Sequence, residues 1–309
     1  MNLDFSNMNI LLIGDLMLDR YIIGTSSRMS PEAPVPVFVP QDNLLTPGGA
    51  GNVAMNLSAL GAKVTCVGYI GDDQDGIDLV DYFKKENIDC GNIDLLSSLR
   101  TTSKTRFICN DNQIMRMDVE EKLEYLWKPY YLKDLKYHKY DIVILSDYNK
   151  GVLNSQWFTE IDHKMIFVDP KKNDFSFYSN ANIITPNFNE LQRASKIKIK
   201  DNESLEKACK AIIQSSSLDY IVAKKGDQGM TIVGRDNFLK HIESYPVENP
   251  DVTGAGDTVI AVLSVVYAKT NDIELSVKFA NAAAAIVVGK SGTATTTVEE
   301  IEKLFTEEC

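Results

Sequence analysis

The chain has 309 residues, of which 44% are hydrophobic and 24% charged, and its formal net charge is −11 at pH 7. These values describe a globular protein with one large domain, and the negative charge excludes nucleic acid and anionic membranes as main partners because both bind basic surfaces. The polar, acidic start of the chain shows no signal peptide, and the apolar run Ile10 to Ile13 is too short to span a bilayer, so we expect a cytoplasmic protein.

The cysteines and histidines exclude several kinds of site. The five cysteines are widely separated and form no Cys-x-x-Cys pair, which predicts reduced thiols in a reducing compartment. The three histidines show no metal-ligand spacing, so a transition metal held by the protein is not expected. The chain also lacks Gly-x-Ser-x-Gly and Gly-x-x-x-x-Gly-Lys-Ser/Thr, the turns of α/β-hydrolases and of Walker-type nucleotide-binding proteins.

Apolar runs of strand length alternate with helix-like patterns along most of the chain. The runs are apolar on both faces, as expected of strands buried in a parallel sheet that is covered by helices on each side. We therefore predict an α/β fold in which residues 1–309 form one domain around a mostly parallel central sheet. The predicted strands are Asn9 to Leu16, Val64 to Ile70, Asp141 to Ser146, Lys164 to Val168, Asn182 to Thr185, and Tyr220 to Lys224.

Two further regions, about 18–46 and 100–119, have a different pattern. In the first, Val35, Val37 and Val39 alternate with prolines, and proline restricts a strand to an edge or a bulge. The second alternates between polar and apolar residues from Thr101 to Val119. We predict that the two regions form a small β lid that projects from the sheet. From these residues alone, a polyproline linker followed by a surface hairpin is an equal alternative.

Polar residues follow several of the predicted strands. Asp15, Asp147, Lys171, Asn187 and Gly226 lie at or just after strand ends. In open α/β sheets, ligands bind beyond the carboxyl ends of the strands, so this shared location predicts a binding site there.

A glycine-rich turn, Asp251 to Asp257, precedes the apolar, helix-like run Thr258 to Ala268. Gly254, Ala255 and Gly256 would offer backbone N–H groups to an anion at the positive end of the helix. An aspartate at that place suits the removal of a proton from a hydroxyl that attacks a phosphoryl group, so Asp257 is the candidate base. For a single turn of this kind, a helix start that requires small residues is the commoner interpretation.

Two other motifs favour the chemical interpretation. Pro47-Gly48-Gly49-Ala50-Gly51-Asn52 precedes a helical pattern, and Asn187-Phe188-Asn189-Glu190 lies between the two glycine-rich segments. The three motifs resemble those of the ribokinase-like, or PfkB, carbohydrate kinases. The chain departs from the second glycine signature at Val262, where most of that family carries a small residue. The resemblance implies a ribokinase-like three-layer sandwich.

Other segments resemble, more narrowly, the D-glycero-β-D-manno-heptose 7-phosphate kinases. They include Gly14 to Tyr21, Ser27 to Val37, Lys104 to Arg106, Ser146 to Leu153, Val168 to Lys171, and Asp251 to Leu263 with Val262. The resemblance implies transfer of a phosphoryl group from ATP to the C1 hydroxyl of the heptose phosphate, for nucleotide-activated heptose in cell-surface polysaccharide. In many bacteria that kinase is fused to an adenylyltransferase, and we expect only the kinase here. Another sugar or nucleoside kinase, or a sugar-sensing regulator without turnover, is the alternative.

The resemblance also implies a role for individual residues. It places magnesium and phosphate at Asn187, Phe188, Asn189 and Glu190, with Glu190 holding Mg²⁺ through water. It places the nucleotide base and ribose near Lys225, Gly226, Gly229 and the helix from Ala280 through Gly289, although an alanine run such as Ala282 to Ala285 is more often helix packing. It implies a monovalent cation near Asp251 and Thr253.

For the sugar, Asp15, Gly49 and Asn52 match the family's hydroxyl-binding positions. A phosphorylated sugar also requires cations, for which Lys104, Arg106, Arg116 and Lys171 are candidates, with Arg106 and Lys171 preferred. The lid strands would leave valines and backbone groups exposed in a monomer, so we expect a symmetric homodimer in which two lids pair.

Overall fold

The computed structural model describes residues 3–121, 127, 135–153, 161–290 and 292–307. Its strands fall into two sheets. The strands in these ranges are β1 Asn9–Gly14, β2 Leu16–Met29, β3 Pro36–Gly49, β4 Lys63–Gly71, β5 Asp89–Leu96, β6 Ser103–Cys109, β7 Asn112–Val119, β8 Ile142–Ser146, β9 Ile166–Asp169, β10 Ile183–Ile184, β11 Tyr220–Lys224, β12 Met230–Gly234 and β13 Leu239–Ile242.

Nine strands form the central sheet in the order β13-β12-β11-β10-β9-β8-β1-β4-β5. All neighbours from β11 to β5 are parallel, and β12 and β13 extend the sheet as antiparallel strands. The helices in the described ranges are α1 Ala50–Ala59, α2 Gln74–Lys85, α3 Phe188–Ser195, α4 Asn202–Gln214, α5 Ala255–Thr270, α6 Ile273–Val288 and α7 Val298–Glu307. In this part of the chain, no helix has the length and apolar character that crossing a membrane requires.

Hydrophobic cores lie on both faces of the sheet. Ile10 and Leu12 of β1 face one core, and Leu11 and Ile13 face the other, as the two-residue repeat of a strand requires. Helices α1, α2, α5, α6 and α7 pack on the first side, and α3 and α4 pack on the second. The predicted α/β fold, with a mostly parallel sheet and helices on both faces, is confirmed.

The smaller sheet has the order β3-β2-β6-β7 and forms the lid. It extends over 16–49 and 103–119, close to the predicted 18–46 and 100–119, so a polyproline linker is the wrong description of the first region. Within the described ranges, β3 pairs only with β2, and this edge position fits its prolines because they have no N–H to donate to a second neighbour.

The predicted strand Asn9 to Leu16 is two strands in different sheets. β1 ends at Gly14 in the central sheet, and β2 begins at Leu16 in the lid. Between them, the Asp15 N–H donates to the Ser146 carbonyl, and a Cβ on Gly14 would overlap that same oxygen. The close approach of β1 and β8 therefore requires glycine where the chain leaves the sheet.

We predict that Gly229→Ala destabilises the protein more than Gly61→Ala. Both glycines have positive φ, of 81° and 90°, which costs a residue with a Cβ about 1 to 2 kcal/mol. At Gly61 the new methyl group meets open space, whereas at Gly229 it would overlap the Ile242 carbonyl, which adds about 1 to 3 kcal/mol. Denaturant unfolding of both variants measures the difference, and equal losses of stability would contradict the described turn.

Candidate active site

One large cavity lies along the carboxyl ends of the parallel strands. Its volume is about 680 Å³. Its polar end is lined by Asp147, Tyr148, Asp169, Lys171, Asn187, Glu190 and Lys224. Its apolar wall includes Met230, Tyr245, Pro246, Val247, Pro250, Val252, Val259, Ala284, Ala285 and Val288. A cleft that is apolar along one side and charged at one end can hold a molecule with an aromatic part and a phosphate part.

Asp257 lies in the first turn of α5, beneath the polar end of this cavity. Gly254 is the N-cap, with a φ of 78°, and it contributes no side-chain cap. The Asp257 side chain is almost fully buried, and each of its carboxylate oxygens has a hydrogen-bond donor. Tyr148 donates its hydroxyl to Oδ1 at 2.6 Å, and Asn52 donates Nδ2 to Oδ2 at 2.9 Å.

A polar chain behind Asn52 fixes its amide. The Asn56 Nδ2 donates to the Asn52 carbonyl and to its side-chain oxygen, and Thr258 donates to the Asn56 oxygen. All these residues are buried, and they connect α1 to α5. Gly49, the N-cap of α1 with a φ of 56°, lies where a Cβ would be 2.7 Å from the Asp15 carbonyl. The first glycine-rich motif thus positions the candidate base.

The environment raises the pKa of Asp257 to about 7. Burial is the main cause, and the negative charge of Asp169 adds to it. The hydrogen bonds from Tyr148 and Asn52, and the charge of Lys224, act in the opposite direction. A carboxylate that titrates near neutral pH is well matched to accept a proton from a sugar hydroxyl.

Lys224, the last residue of β11, brings a positive charge to the start of α5. Its Nζ forms a 2.5 Å ion pair with Asp169 and lies 3.1 Å from where a Cβ on Gly256 would be. The first-turn N–H groups of a helix have no partner within the helix, although Ala255 also donates to the Val252 carbonyl at 3.3 Å. Helix N-terminus and ammonium together form a site for a phosphoryl group.

Sequence reasoning missed Lys224 and gave Tyr148 no role. Lys224 directly precedes the Lys225-Gly226 segment, at a strand end, and Tyr148 is the second residue after β8. Their position after parallel strands was the signal that could have identified them.

Asn187 and Glu190 line the cavity. They form a capping box at the start of α3, so the helix-cap interpretation of these residues is confirmed, and their role toward magnesium and phosphate stays a prediction. The Glu190 Oε1 lies 2.8 Å from the Lys171 Nζ, and its Oε2 accepts the Asn187 N–H. Asn189 is exposed, and Phe188 packs against the second core. Neither of these two lines the cavity.

Of the residues predicted to contact the nucleotide, Gly226 and Gly229 line the cavity, and Lys225, Ala282 and Gly289 do not. Ala282 is fully buried in the first core, Gly289 ends α6, and the Lys225 Nζ donates to Asn202. The alanines that face the cavity are Ala284 and Ala285, because the helical repeat turns Ala282 toward the core. Ala282, predicted to lie at the nucleotide base, therefore does not line the cavity, and its neighbours Ala284 and Ala285 do.

The predicted sugar-binding residues lie on the lid side of Asp257. Asp15 is 2% exposed, and its carboxylate accepts the backbone N–H groups of Tyr148, Lys150 and Val152. In this arrangement Asp15 holds the loop that carries Tyr148, and its contact with a sugar hydroxyl stays a prediction.

Three of the four predicted phosphate-binding cations are already paired with carboxylates. Arg106 forms a 2.5 Å ion pair with Asp19, Lys171 pairs with Glu190 at 2.8 Å, and Arg116 pairs with Asp118 at 2.7 Å. The fourth, Lys104, has no carboxylate of a described residue within 4.0 Å. Its Nζ donates to the Met17 Sδ at 2.8 Å and lies 5.9 Å from the centre of the Tyr148 ring.

Magnesium requires oxygen ligands and retains water. Among the described residues, no group of three or more His, Cys, Asp or Glu side chains is arranged to enclose a metal ion. Glu190 fits a water-mediated ion instead, because its carboxylate lines the cavity and retains lone pairs beyond its two hydrogen bonds.

Known proteins share this arrangement of sequence and fold. The chain is 39% identical over 306 residues to a protein named bifunctional protein HldE from Sulfurimonas denitrificans, covering 95% of this chain and 63% of that protein. It is 40% identical over 302 residues to the protein of the same name from a Nitratiruptor species, covering 95% and 64%. The chain thus spans less than two thirds of the length of these curated relatives.

Two solved structures show the same fold. A ribokinase from Arabidopsis thaliana complexed with ribose and ATP has a TM-score of 0.79 at 17% identity, covering 96% of this chain and 98% of that one. Phosphofructokinase-2 from Escherichia coli, in complex with substrates and products, has a TM-score of 0.78 at 18% identity, covering 97% and 99%. Residues 7–300 match the family described as pfkB family carbohydrate kinase. The chain belongs to the pfkB family of carbohydrate kinases, which are phosphotransferases with an alcohol group as acceptor.

Proposed function

We propose that this chain is an ATP-dependent kinase that phosphorylates the C1 hydroxyl of D-glycero-D-manno-heptose 7-phosphate to give the 1,7-bisphosphate. The observation that carries the kinase reaction is the buried Asp257 carboxylate in the first turn of α5, with a pKa raised to about 7. The product would serve the synthesis of nucleotide-activated heptose for cell-surface polysaccharide, which places the enzyme in the cytoplasm.

The residues around Asp257 supply the remaining requirements of phosphoryl transfer. Asp257 accepts the proton of the attacking hydroxyl. Lys224 and the N–H groups at the start of α5 balance the negative charge that moves toward the acceptor. The apolar wall with Ala284 and Ala285 receives the nucleotide base. Mg²⁺, when bound through water at Glu190, would neutralise charge on the nucleotide phosphates.

The finer substrate assignment rests on the relatives and on the lid. The relatives carry the name bifunctional protein HldE, and the sequence motifs resemble heptose 7-phosphate kinases across the chain. Lys104 and Arg106 both lie on β6. Lys104 brings positive charge beside the Tyr148 ring, and Arg106 brings positive charge beside Asp19, on the lid side where the acceptor would bind. This charge suits an acceptor that already carries a phosphate.

Two alternatives remain, another sugar or nucleoside kinase of this family and a sugar-sensing protein without turnover. A coupled assay of ADP release with a panel of sugars and sugar phosphates separates all three. We expect turnover with heptose 7-phosphate and much less with unphosphorylated heptose. Equal turnover of heptose and heptose 7-phosphate would favour a simple sugar or nucleoside kinase. Absence of turnover with every acceptor would favour a sugar-sensing protein.

We predict that Asp257→Asn lowers kcat by about 10² to 10⁴ and leaves ATP affinity unchanged. The amide keeps the shape of the side chain and cannot accept the proton. In the unchanged enzyme, kcat/KM should fall below about pH 7, because the base must be deprotonated and its pKa is about 7. Steady-state assays across pH measure kcat and kcat/KM, and titration with ATP measures nucleotide affinity. If the Asp257→Asn variant keeps a near-normal kcat, Asp257 is not the base.

We predict that Lys104→Met and Arg106→Ala raise KM for heptose 7-phosphate by about ten- to hundred-fold, since a charge-assisted contact contributes about 1.5 to 3 kcal/mol. Their KM for ATP should change little. Lys171→Ala should raise both KM values, because Lys171 lies 2.8 Å from Glu190 on the nucleotide side. Lys198→Met, on a distant loop, serves as the control. Unchanged KM values for the sugar phosphate in all three variants would contradict a phosphate pocket here.

The lid surface supports a homodimer. Large apolar side chains are about half exposed on it, namely Met29, Val35, Val39, Leu44, Ile114, Met115 and Met117. Among the described residues, β7 pairs only with β6, so its other edge has no strand partner in this part of the chain. An exposed edge with apolar neighbours favours pairing with a second copy around a two-fold axis.

We predict a particle of twice 34.5 kDa by light scattering at micromolar concentration. Replacing Met115 and Met117 together by Glu should give monomers, because charged residues would be buried in the contact. Leu239→Glu changes an equally exposed apolar residue of β13, away from the lid, and should leave the mass unchanged. A particle of 34.5 kDa for the protein without substitutions would contradict the proposed homodimer.

A further inference from the structure

Tyr148 lies between the large cavity and the base. Its ring lines the cavity, whereas Asp257 is 3% exposed and does not line it. The Tyr148 hydroxyl donates to Asp257 Oδ1 at 2.6 Å, and within the described residues this is the hydrogen bond that the hydroxyl makes. An acceptor hydroxyl must donate to this carboxylate before it can attack, so the phenol occupies the contact that the substrate needs.

The two oxygens of Asp257 are held in different ways. Asn52, on Oδ2, belongs to α1 and is fixed by Asn56 and Thr258. Tyr148, on Oδ1, belongs to the loop after β8, where Asn149 and Gly151 have positive φ values of 57° and 118°. The backbone N–H of Tyr148 donates to Asp15, and among the described residues no second hydrogen bond holds the Tyr148 hydroxyl in the way that Asn56 holds Asn52. The hydrogen bond to Oδ1 is therefore the one that can open.

We propose that Tyr148 is a positioning residue whose hydroxyl holds the place of the acceptor hydroxyl on Asp257 until the sugar binds. This inference rests on the proposed kinase function. Leaving a buried carboxylate oxygen without a donor costs free energy, so a resident hydroxyl keeps the base satisfied and oriented in the absence of sugar. Exchange of a phenol hydroxyl for a sugar hydroxyl then preserves the number of hydrogen bonds.

Charged groups surround both partners. Asp257 faces Asp169 from β9 and Lys224 from β11, whose opposite charges are paired with each other. The Tyr148 ring has the Lys104 ammonium on the lid side at 5.9 Å and the Lys171 ammonium at 6.0 Å, with the charge of Asp19 nearby. Burial and the Asp257 charge raise the pKa of Tyr148 well above its ordinary value, so the hydroxyl remains a donor.

The test compares Tyr148→Phe with the unchanged protein and with Tyr267→Phe, which removes a half-buried hydroxyl near the far end of α5. The pKa of Asp257 is measured by carboxyl-carbon NMR on protein labelled with ¹³C-aspartate, and Asp257→Asn assigns the resonance. Without ligand, Tyr148→Phe should raise that pKa by about one unit, because a hydrogen bond to the carboxylate is lost. Tyr267→Phe should leave it unchanged.

Addition of saturating heptose 7-phosphate should make the pKa of Asp257 equal in Tyr148→Phe and in the protein without substitutions, because the sugar hydroxyl then donates to Oδ1 in both. In kinetics, the acid limb of kcat/KM should move up by about one pH unit in Tyr148→Phe, while the acid limb of kcat stays in place. Equal pKa values in the ligand-free proteins would overturn the proposal, as would a difference that persists with the sugar bound. Absence of turnover across the sugar panel would count against the proposed function, and the ligand-free titration would still decide whether Tyr148 holds the base.

Discussion

A buried carboxylate at the start of a helix is the constraint on which the rest of this structure depends. Asp257 is 3% exposed, and a charge in that position is costly unless its oxygens are satisfied. Its two donors come from α1 and from the loop after β8, while Lys224 and Asp169 approach from two strand ends. Satisfying one side chain therefore fixes the positions of α1 and α5, on one face of the sheet, relative to the carboxyl ends of the strands. The pKa of about 7, well above that of an ordinary aspartate, shows that burial outweighs the hydrogen bonds from Tyr148 and Asn52 and the charge of Lys224.

The cations near this carboxylate have carboxylate partners of their own. Lys224 pairs with Asp169, Lys171 with Glu190, and Arg106 with Asp19, at 2.5 to 2.8 Å. The Lys224–Asp169 and Arg106–Asp19 pairs are largely buried, and removing one partner of such a pair is expensive, so these two pairs hold their cations in place without ligand. Lys171 is 42% exposed, so its pairing with Glu190 is weaker. A phosphate that enters the site competes with a carboxylate for each cation. Lys104 lacks such a partner among the described residues, and burial lowers its pKa, so an arriving anion would meet no competitor there.

Asp15 connects the lid mechanically to the base. The chain passes from β1 into β2 at this residue, and its carboxylate accepts three N–H groups of the loop that carries Tyr148. Lys150 of the same loop pairs with Glu120, which follows the last lid strand. A movement of the lid would therefore also move the loop that carries Tyr148. The carboxylate of Asp15, a predicted sugar-binding residue, is thus engaged by backbone groups of this loop.

The sequence by itself determined the fold class and the residues at the start of α5, because apolar periodicity and glycine turns are local properties of the chain. Its local pattern left the lid and a polyproline linker as equal alternatives, and the pairing of β3, β2, β6 and β7 decided between them. The sequence also placed Asn187 and Glu190 at a helix start beside the site. Only the tertiary structure decided which side chains meet. Tyr148 and Asn52 contact Asp257 from positions 109 and 205 residues away in the chain, and no local pattern encodes such a pairing. Likewise, the side of α6 that faces the cavity, with Ala284 and Ala285 instead of Ala282, follows from how the helix packs on the sheet and on α5.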